Sequence, residues 1–544
     1  MPRPSVDYSL YLVTDSGLLP KNRSLAEQVE RAIRGGVTVV QLREKKLSTA
    51  EFIKRGREIH EITRKYNVPL IINDRVDVAL AVDAEGLHVG WDDCDVKTAR
   101  ELLGPDKIIG VSITNLDELS RLHGADCDYL GVGPIYATNT KPDHDPPLGI
   151  SGLRDLLQRK NFEGLPSKIP IVVIGGVNTG NLQWIKWAAS GEERMSIQGP
   201  AVVSAIISSE DPEDLCLSFR KLLTAPPAFA FSQHEFKLDD AAEVYTNISS
   251  ILKNVHEHKS MIHHITNDVV KNFSANVCLA AGGSPIMSEN IEETADLARI
   301  NGAFVLNMGT ASPDAHPLFF EAIRSNNQFG NPVVFDPVGA GASKLRRSTT
   351  AVILGAGYID VIKGNEGEIR TVAGETVEMR GVDSVDTILD DEGESSKTKA
   401  LLVSTVAQRH KNIVVMTGVT DWVSDGKSVI AISGGHMLQG VVTGTGCSLG
   451  TVIATMIANN RNCKFLSVIV AIIVYNYAAM RAAEGVEGPG SWAVAFIDWL
   501  FRLSGQSGMD ALFRKPEFKE LGMSLEIWGR DSEGNLGESK KVRL

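Results

Sequence analysis

The segment Val442-Thr443-Gly444-Thr445-Gly446-Cys447 sets two glycines between hydroxyl residues, directly before a predicted helix at Ser448 to Met456. Glycines permit a tight turn, and the first turn of a helix presents unpaired N–H groups and the positive end of its dipole. That arrangement suits an anion and the charge that develops during phosphoryl transfer. Because similar turns also join elements that bind nothing, the interpretation depends on the rest of the chain.

An open α/β sheet is predicted around this turn. From Ala241 onward, alanine-rich helices alternate with buried strands at Phe304 to Asn307, Pro332 to Asp336, Val361 to Lys363 and Ile413 to Thr417. In such sheets, ligands bind at the carboxyl ends of the strands.

Polar residues stand at those strand ends. Asp336 and Glu368 could hold Mg²⁺ through water, and Thr417 with Gly418 offers a hydroxyl and close backbone approach to a nucleotide. A lone carboxylate there would more often be a helix cap or a surface residue. Combined with the glycine turn, these residues predict a kinase-like site.

Two other segments carry no predicted chemistry. The acidic stretch Glu378 to Lys399 is interpreted as a surface loop. The apolar stretch Phe465 to Met480 contains Ser467 and Asn476 and is short for a membrane span, so a buried helix is expected.

Composition sets the broad class. A chain of 544 residues with 43% hydrophobic content implies at least two domains. The net charge of −12 is spread along the chain, which argues against nucleic acid or a membrane as partner. The six cysteines lie far apart without a C-x-x-C pair, and the first residues are polar, so a cytoplasmic protein with reduced thiols is expected.

The first 225 residues predict a closed parallel (β/α)8 barrel. Eight apolar runs alternate with amphipathic helices, at Tyr11 to Asp15, Thr38 to Glu44, Pro69 to Asp74, Gly86 to Gly90, Lys107 to Thr114, Tyr129 to Tyr136, Ile169 to Gly176 and Gly199 to Ile206.

Charged and hydroxyl residues collect at the carboxyl ends of seven of these eight runs. Asp74 and Asp93 are hard oxygen ligands for Mg²⁺, with Arg43, Lys45 and Lys141 as counter-charges for a pyrophosphate. Gly175-Gly176 and Val203-Ser204 follow strands seven and eight, where such barrels hold phosphate. For any one of these charges, a solvated loop position or a structural ion pair is the commoner explanation, but agreement among seven strand ends favours a site.

The first half resembles the thiamine phosphate synthase family. The resemblance lies in Tyr11 to Asp15, Gln41 to Lys45, Ile72 to Asp74, His88 to Gly90, Gly131 to Tyr136 and Ile174 to Gly176. It implies that a hydroxymethylpyrimidine diphosphate is joined to a thiazole phosphate, with release of pyrophosphate. The family's diphosphate-binding positions are Gln41, Arg43, Lys45, Asn73, Ser112 and Lys141, its magnesium positions are Asp74 and Asp93, and its thiazole phosphate positions are Thr138, Thr140, Gly176, Val203 and Ser204.

The second half resembles the hydroxyethylthiazole kinase family, of ribokinase-like fold. The resemblance lies in His264 to Asn267, Ser284 to Met287, Asp336 to Gly341, Lys363 to Asn365 and Val442 to Cys447. It implies ATP-dependent phosphorylation of the thiazole alcohol, with Met287 and Gly444 at the thiazole, Lys363 and Thr417 at ATP, and Cys447 at the catalytic position.

Two positions depart from related enzymes. Lys363 stands where bacterial relatives often carry arginine. The point charge of its ammonium group therefore replaces the bidentate hydrogen bonding of a guanidinium to phosphate. Cys447 stands where ribokinase relatives place an aspartate base, and it either accepts the substrate proton or shapes the turn. Its place at a helix N-terminus predicts a lowered thiol pKa.

The two resemblances together indicate a fused enzyme of the kind found in fungi. We predict a synthase barrel at residues 1–225, a linker at 226–240 packed through its phenylalanines, and a kinase domain at 241–544 that forms a homo-oligomer. Mg²⁺ at both sites and ATP are the expected cofactors. Two alternatives stay open: one half is inactive and kept for assembly or regulation, or different enzymes use the same folds.

Overall fold

The chain forms two compact units in the computed structural model, Met1–Pro227 and Ala228–Leu544. The structure describes residues 5–138, 146–158, 169–190, 197–230, 241–309, 312–375, 392–505, 523–530 and 536–544. The combination of a barrel and an α/β sheet, predicted from the sequence, is confirmed.

Within the described residues of the first unit, eight parallel strands close into a barrel in chain order, as predicted. They are β1 (Tyr11–Val13), β2 (Val39–Leu42), β3 (Leu70–Asn73), β4 (Gly86–Val89), β5 (Ile108–Ile113), β6 (Tyr129–Val132), β7 (Ile171–Val173) and β8 (Ile197–Val202). The surrounding helices are α1 (Leu25–Arg34), α2 (Thr49–Lys65), α3 (Val76–Val82), α4 (Val96–Leu103), α5 (Leu116–Arg121), α6 (Gly149–Gln158), α7 (Leu182–Ala189), α8 (Ser204–Ile207) and α9 (Pro212–Thr224).

Side chains fill the barrel interior, and two of the largest are Tyr11 and Tyr129. Their ring centroids lie 5.7 Å apart. Gly110 on β5 makes room for Tyr129, since a Cβ at this glycine would lie 2.1 Å from the tyrosine Cζ. The interior is therefore a packed core, with the site confined to one mouth.

The prediction that the last strand continues to Ile206 is wrong. Strand β8 ends at Val202, and Ser204 begins the short helix α8. The Ile207 and Ser208 N–H groups donate to the carbonyls of Val203 and Ser204. The apolar residues after the strand are thus buried by a helical turn, which sequence period alone does not distinguish from a strand end.

The second unit contains an open sheet. Its ten strands among the described residues run in the order β10, β9, β11, β12, β13, β14, β15, β16, β17, β18, parallel as far as β14 and antiparallel beyond it. They are β9 (Met261–Ile265), β10 (Ser284–Ile286), β11 (Ala303–Asn307), β12 (Val333–Asp336), β13 (Val361–Asn365), β14 (Ile413–Thr417), β15 (Thr420–Ser424), β16 (Val429–Ser433), β17 (Ser524–Arg530) and β18 (Leu536–Arg543).

Helices cover this sheet: α10 (Ala241–His258), α11 (Lys271–Ala280), α12 (Thr294–Arg299), α13 (His316–Phe329), α14 (Lys344–Ala356), α15 (Glu366–Ala373), α16 (Glu392–His410), α17 (Thr445–Ala458), α18 (Lys464–Ala482) and α19 (Pro489–Ser504). In the described part of the chain, one helical stretch, Arg461–Ala482, is long and apolar enough to span a membrane. Of its apolar window, 89% is buried, and α18 packs on α17 and α19. The predicted buried helix is confirmed.

The prediction of a loop from Glu378 to Lys399 is wrong from Glu392 onward, where α16 begins. Buried Ala400, Val403 and Ala407 recur at helical spacing. The helix begins about two turns before the first of these residues. Residues 376–391 lie outside the described part. Near the start of this unit, the Phe229 ring stacks on Tyr358 with centroids 4.9 Å apart.

Candidate active sites

The barrel mouth brings together the charged residues predicted for a metal. Asp74 follows β3 with a left-handed backbone (φ 64°), and its carboxylate pairs with Lys45. Asp93 follows β4, and its Oδ2 accepts a hydrogen bond from the Gly90 N–H at 2.8 Å. Partial burial and the adjacent Asp74 carboxyl raise the pKa of Asp93. Two carboxylates thus share one lysine, an arrangement that a divalent cation would stabilise.

Gln41 and Ser112 are linked through the barrel interior. Gln41 Nε2 donates to the Tyr11 hydroxyl at 3.0 Å, and that hydroxyl lies 2.6 Å from the Tyr129 hydroxyl. His88 Nδ1 lies 2.9 Å from the same Tyr129 oxygen, and His88 Nε2 lies 2.9 Å from Ser112 Oγ. Burial lowers the pKa of His88 to about 4, so the ring is neutral at physiological pH.

Arg43 and Asn73 lie at the same barrel mouth, at the carboxyl ends of the strands β2 and β3. The Arg43 N–H donates to Thr14 Oγ1 at 3.0 Å, and its guanidinium lies 3.8 Å from Asp15. Asn73 is buried at the end of β3, in register with His88.

The turns after β7 and β8 lie at one edge, because these two strands are paired. Gly176 has a left-handed backbone (φ 68°), and a Cβ there would lie 2.7 Å from Tyr136 Cβ. Val203 and Ser204 form the start of α8. Thr138 is the last residue described before 139–145, so Thr140 and Lys141 lie outside the described residues.

A buried ion pair lies at the carboxyl edge of the second sheet. Lys363 Nζ lies 2.9 Å from Asp336 Oδ2 and donates to the Gly446 carbonyl at 2.8 Å. Asn307 Nδ2 donates to the same Asp336 oxygen at 3.1 Å. These contacts join the ends of β11 and β12 and the middle of β13 to the first turn of α17.

The charged groups of this site are unbalanced, because its carboxyl groups outnumber its cationic groups. Asp336 is 1% exposed, and its second oxygen, Oδ1, has no hydrogen-bond partner. Burial, followed by repulsion from Asp336, raises the pKa of Glu368 to about 7. Burial opposes the charge of Lys363, but its anionic neighbours, led by Asp336, raise its pKa overall. Two buried carboxyls therefore share one ammonium group.

This donor set fits Mg²⁺, which takes few protein carboxylates together with water and phosphate oxygens. Asp336 Oδ1 is available for such a cation, whereas both Glu368 oxygens already accept N–H groups, from Gly339 at 2.7 Å and Asn365 at 2.8 Å. Glu368 thus also takes part in the N-terminal cap of α15. A helix cap was the alternative role that its position in the sequence suggested. Among the described residues, no group of three or more His, Cys, Asp and Glu side chains could hold a metal ion alone.

Cys447 lies in the first turn of α17, and the prediction of a lowered thiol pKa is wrong. Burial, followed by the charge of Asp336, raises the pKa of the thiol to about 11, against the opposing effects of Lys363 and Asn307. The dipole of a helix N-terminus falls off within one turn, and here desolvation and the buried carboxylate outweigh it.

The remaining predicted residues of this unit lie apart. The Thr417 hydroxyl donates to the Gly364 carbonyl at 3.3 Å. Gly444 caps α17 with a φ of 94°, and a Cβ there would lie 3.2 Å from Val270 Cγ1. Met287 follows β10, the edge strand on the far side of β9 from β11.

Several polar residues that connect the parts of these sites were not predicted from the sequence. Tyr11, His88 and Tyr129 link Gln41 to Ser112 inside the barrel. In the second unit, Asn267 donates to Asn307, and Asp421 accepts the Gly418 N–H at 3.1 Å. Asn307 ends a predicted strand, which was a usable signal for it. The others depend on contacts between distant segments, which no local pattern reveals.

Fold and site together define a two-part transferase: a (β/α)8 barrel with a diphosphate-type mouth, fused to an α/β unit with a kinase-like site. Residues 10–206 match the model of the Thiamine monophosphate synthase family, and residues 252–506 match that of the Hydroxyethylthiazole kinase family.

Full-length relatives carry both halves. The chain is 40% identical to the "Probable thiamine biosynthetic bifunctional enzyme" of Schizosaccharomyces pombe, covering 92% of this chain and 96% of the relative. It is 36% identical to the "Thiamine biosynthetic bifunctional enzyme" of Saccharomyces cerevisiae, with the same coverage. It is also 41% identical to the "Hydroxyethylthiazole kinase" of Moorella thermoacetica, over 48% of this chain and 94% of the relative.

The chain belongs to the family of fused thiamine biosynthetic enzymes, with a thiamine-phosphate synthase half and a hydroxyethylthiazole kinase half. The predicted family, fold and two transferase activities are confirmed.

Proposed function

We propose that the second unit transfers a phosphoryl group from ATP to 4-methyl-5-(2-hydroxyethyl)thiazole. The first unit then joins the resulting thiazole phosphate to 4-amino-2-methyl-5-hydroxymethylpyrimidine diphosphate, giving thiamine phosphate and pyrophosphate. The observation that carries the proposal is the buried Lys363–Asp336 pair beneath the first turn of α17, with one carboxylate oxygen unpartnered.

In the kinase site, the backbone of Gly444 to Gly446 receives the transferred phosphoryl group, because helix N-terminal N–H groups stabilise its charge without rearranging. Lys363 and Thr417 hold ATP. Asp336 and Glu368 would hold Mg²⁺, Asp336 through its unpartnered oxygen and Glu368 through water. Met287 and Gly444 border the thiazole. Cys447 stands at the catalytic position, where its thiolate form would accept the alcohol proton.

In the synthase site, Gln41, Arg43, Lys45, Asn73, Ser112 and Lys141 bind the pyrimidine diphosphate, and Thr138, Thr140, Gly176, Val203 and Ser204 bind the thiazole phosphate. Asp74 and Asp93 would hold a second Mg²⁺. At both sites, the bound ion would neutralise the charge of phosphate oxygens. In the synthase site, this charge compensation would favour the departure of pyrophosphate. The pyrimidine methylene becomes cationic as pyrophosphate leaves, so the thiazole nitrogen can attack without a side-chain nucleophile.

We also infer a cytoplasmic homo-oligomer that assembles through the second unit. Three apolar side chains on its packed helices α11 and α19 are more than half exposed: Leu279, Val494 and Phe501. Such residues on neighbouring helices suit a contact between copies. Light scattering of the whole chain tests this point, and a monomer would contradict it.

A panel of alcohols with ATP and Mg²⁺ tests the kinase assignment. We expect the thiazole alcohol to be phosphorylated in preference to a hydroxymethylpyrimidine or a sugar. Asp336→Asn should abolish that phosphorylation while the barrel still condenses supplied thiazole phosphate. A preference for sugar or pyrimidine would assign a different kinase to the same fold.

A further inference from the structure

Four hydrogen bonds cross the barrel interior in one unbroken chain, from Gln41 through Tyr11, Tyr129 and His88 to Ser112. All members except Ser112 are less than a tenth exposed. A buried hydroxyl or ring nitrogen left without its partner is expensive, so every proton in the chain must point at an acceptor. That requirement fixes the direction of the whole chain.

The amide of Gln41 sets the direction at one end, because its Nε2 is only a donor. The Tyr11 hydroxyl accepts from Gln41 and donates to Tyr129. The Tyr129 hydroxyl then donates to His88 Nδ1, which makes that nitrogen the acceptor. The proton of the neutral ring consequently lies on Nε2 and points at Ser112 Oγ. Ser112 accepts this bond and turns its own proton outward.

The opposite arrangement leaves a buried proton unsatisfied. If His88 carried its proton on Nδ1, it would donate to Tyr129, and Tyr129 would donate to Tyr11. Tyr11 would then accept from both Tyr129 and Gln41, and its own hydroxyl proton would have no acceptor in this chain. Ser112 would meanwhile spend its proton on His88, and would offer the site only an acceptor.

We propose that Tyr129 is a positioning residue of the synthase: through His88, it holds Ser112 as a hydrogen-bond donor to the pyrimidine diphosphate. The inference rests on the proposed function, in which Gln41 and Ser112 bind that substrate. An outward hydroxyl proton suits an anionic diphosphate oxygen, and an outward lone pair would repel it. Tyr129 itself lies in the core and touches no substrate.

Tyr129→Phe in the full-length chain tests the proposal. It should lower kcat/KM of the synthase for the pyrimidine diphosphate about tenfold, the effect of losing one well-oriented hydrogen bond. Tyr8→Phe is the matched control, because the Tyr8 ring lies 4.9 Å from Tyr129 in the same core but its hydroxyl has no place in the chain. We expect less than a twofold change for it. Because the kinase site lies in the other compact unit, the thermal unfolding of the barrel in each variant, rather than its kinase activity, reports on folding.

A double-mutant cycle separates positioning from general damage to the core. If Tyr129 acts through Ser112, then Tyr129→Phe should change kcat/KM less than twofold in a Ser112→Ala background. The same tenfold loss in both backgrounds would overturn the proposal. So would a Tyr129→Phe enzyme that behaves like Tyr8→Phe.

Neutron diffraction of the full-length protein tests the proton arrangement without any assay. We expect a hydrogen on His88 Nε2 and none on Nδ1, and the reverse would overturn the proposal. An inactive parent enzyme would refute the proposed function instead, and the neutron map would still distinguish the two arrangements.

Discussion

Among single residues, Asp93 provides the most direct test of the barrel site. Burial and the adjacent Asp74 carboxyl, which pairs with Lys45, raise the pKa of Asp93, so a bound cation would favour its ionised form. Asp93→Ala should lower condensation on the order of 10²-fold or more and leave phosphorylation unchanged. Separate steady-state assays of the two reactions measure this, with exposed Asp92→Ala as the control. Equal loss of both activities would indicate a misfolded chain, and unchanged condensation would remove Asp93 from the site.

The raised pKa of Asp93 also predicts a pH dependence. A carboxyl with a raised pKa takes up its proton sooner as the pH falls, and protonation removes a magnesium ligand. Condensation at low Mg²⁺ should therefore decline at a higher pH than an ordinary aspartate would give. Added Mg²⁺ favours the ionised form and should move this limb to lower pH. A limb indifferent to Mg²⁺ would contradict the assignment.

Cys447 provides the corresponding test in the kinase. With a pKa of about 11, roughly one thiol in ten thousand is ionised at pH 7. A thiolate base would then make turnover rise about tenfold per pH unit from neutrality. We expect Cys447→Ala to lower turnover on the order of 10²-fold, and Cys447→Asp to keep or raise it with a flatter pH profile. An alanine variant that turns over like the parent would leave Cys447 a structural residue.

Among the elements, the start of α17 decides whether the anion site forms. Gly444 has a φ of 94°, and an added Cβ would lie 3.2 Å from Val270 and 3.4 Å from Phe273. Gly444→Ala should destabilise the second unit by about 1–2 kcal/mol. It should also impair phosphorylation, because the turn would shift.

The matched change on the same helix is Gly450→Ala. Its Cβ would lie 3.8 Å from Val334, an ordinary contact, and alanine favours a helix. Denaturant unfolding and kinase assays of both variants make the comparison. Equal behaviour of the two would show that the left-handed cap does not shape the site.

Secondary structure could be predicted wherever buried runs alternate with helices, as in all eight barrel strands. Errors arose where one property dominated a segment: acidic composition concealed the first turns of α16, and apolar composition extended β8 into α8. The antiparallel strands β15 to β18 were not predicted, and only the β16–β17 pairing joins segments far apart in sequence, whereas β15–β16 and β17–β18 pair neighbouring segments.

The candidate sites were predictable at strand ends, since parallel strands bring their carboxyl ends to one edge. Asp74, Lys45 and Asp93 meet for that reason, as do Asp336 and Lys363. Proton affinities were not predictable: the pKa of the Cys447 thiol was expected to be lowered, but burial beside Asp336 raises it. Burial and neighbouring charge follow from the tertiary fold, and motif spacing contains neither.

For the whole molecule, the division into two compact units predicts separable activities. All eight barrel strands and their mouth lie within Met1–Pro227. A fragment ending at Ala225 should therefore make thiamine phosphate from supplied thiazole phosphate, and thiazole alcohol with ATP should not replace it. A folded, soluble fragment that works only when the second unit is added back would contradict independent sites.

The central claim is that one chain performs two consecutive transfers. Its most direct test incubates the full-length protein with thiazole alcohol, ATP, Mg²⁺ and the pyrimidine diphosphate, and follows thiamine phosphate, ADP and pyrophosphate. We predict thiamine phosphate that depends on all four additions, with one ADP and one pyrophosphate formed for each product molecule. Product formed without ATP, or ADP formed with no thiamine phosphate while supplied thiazole phosphate is also left unused, would contradict the claim.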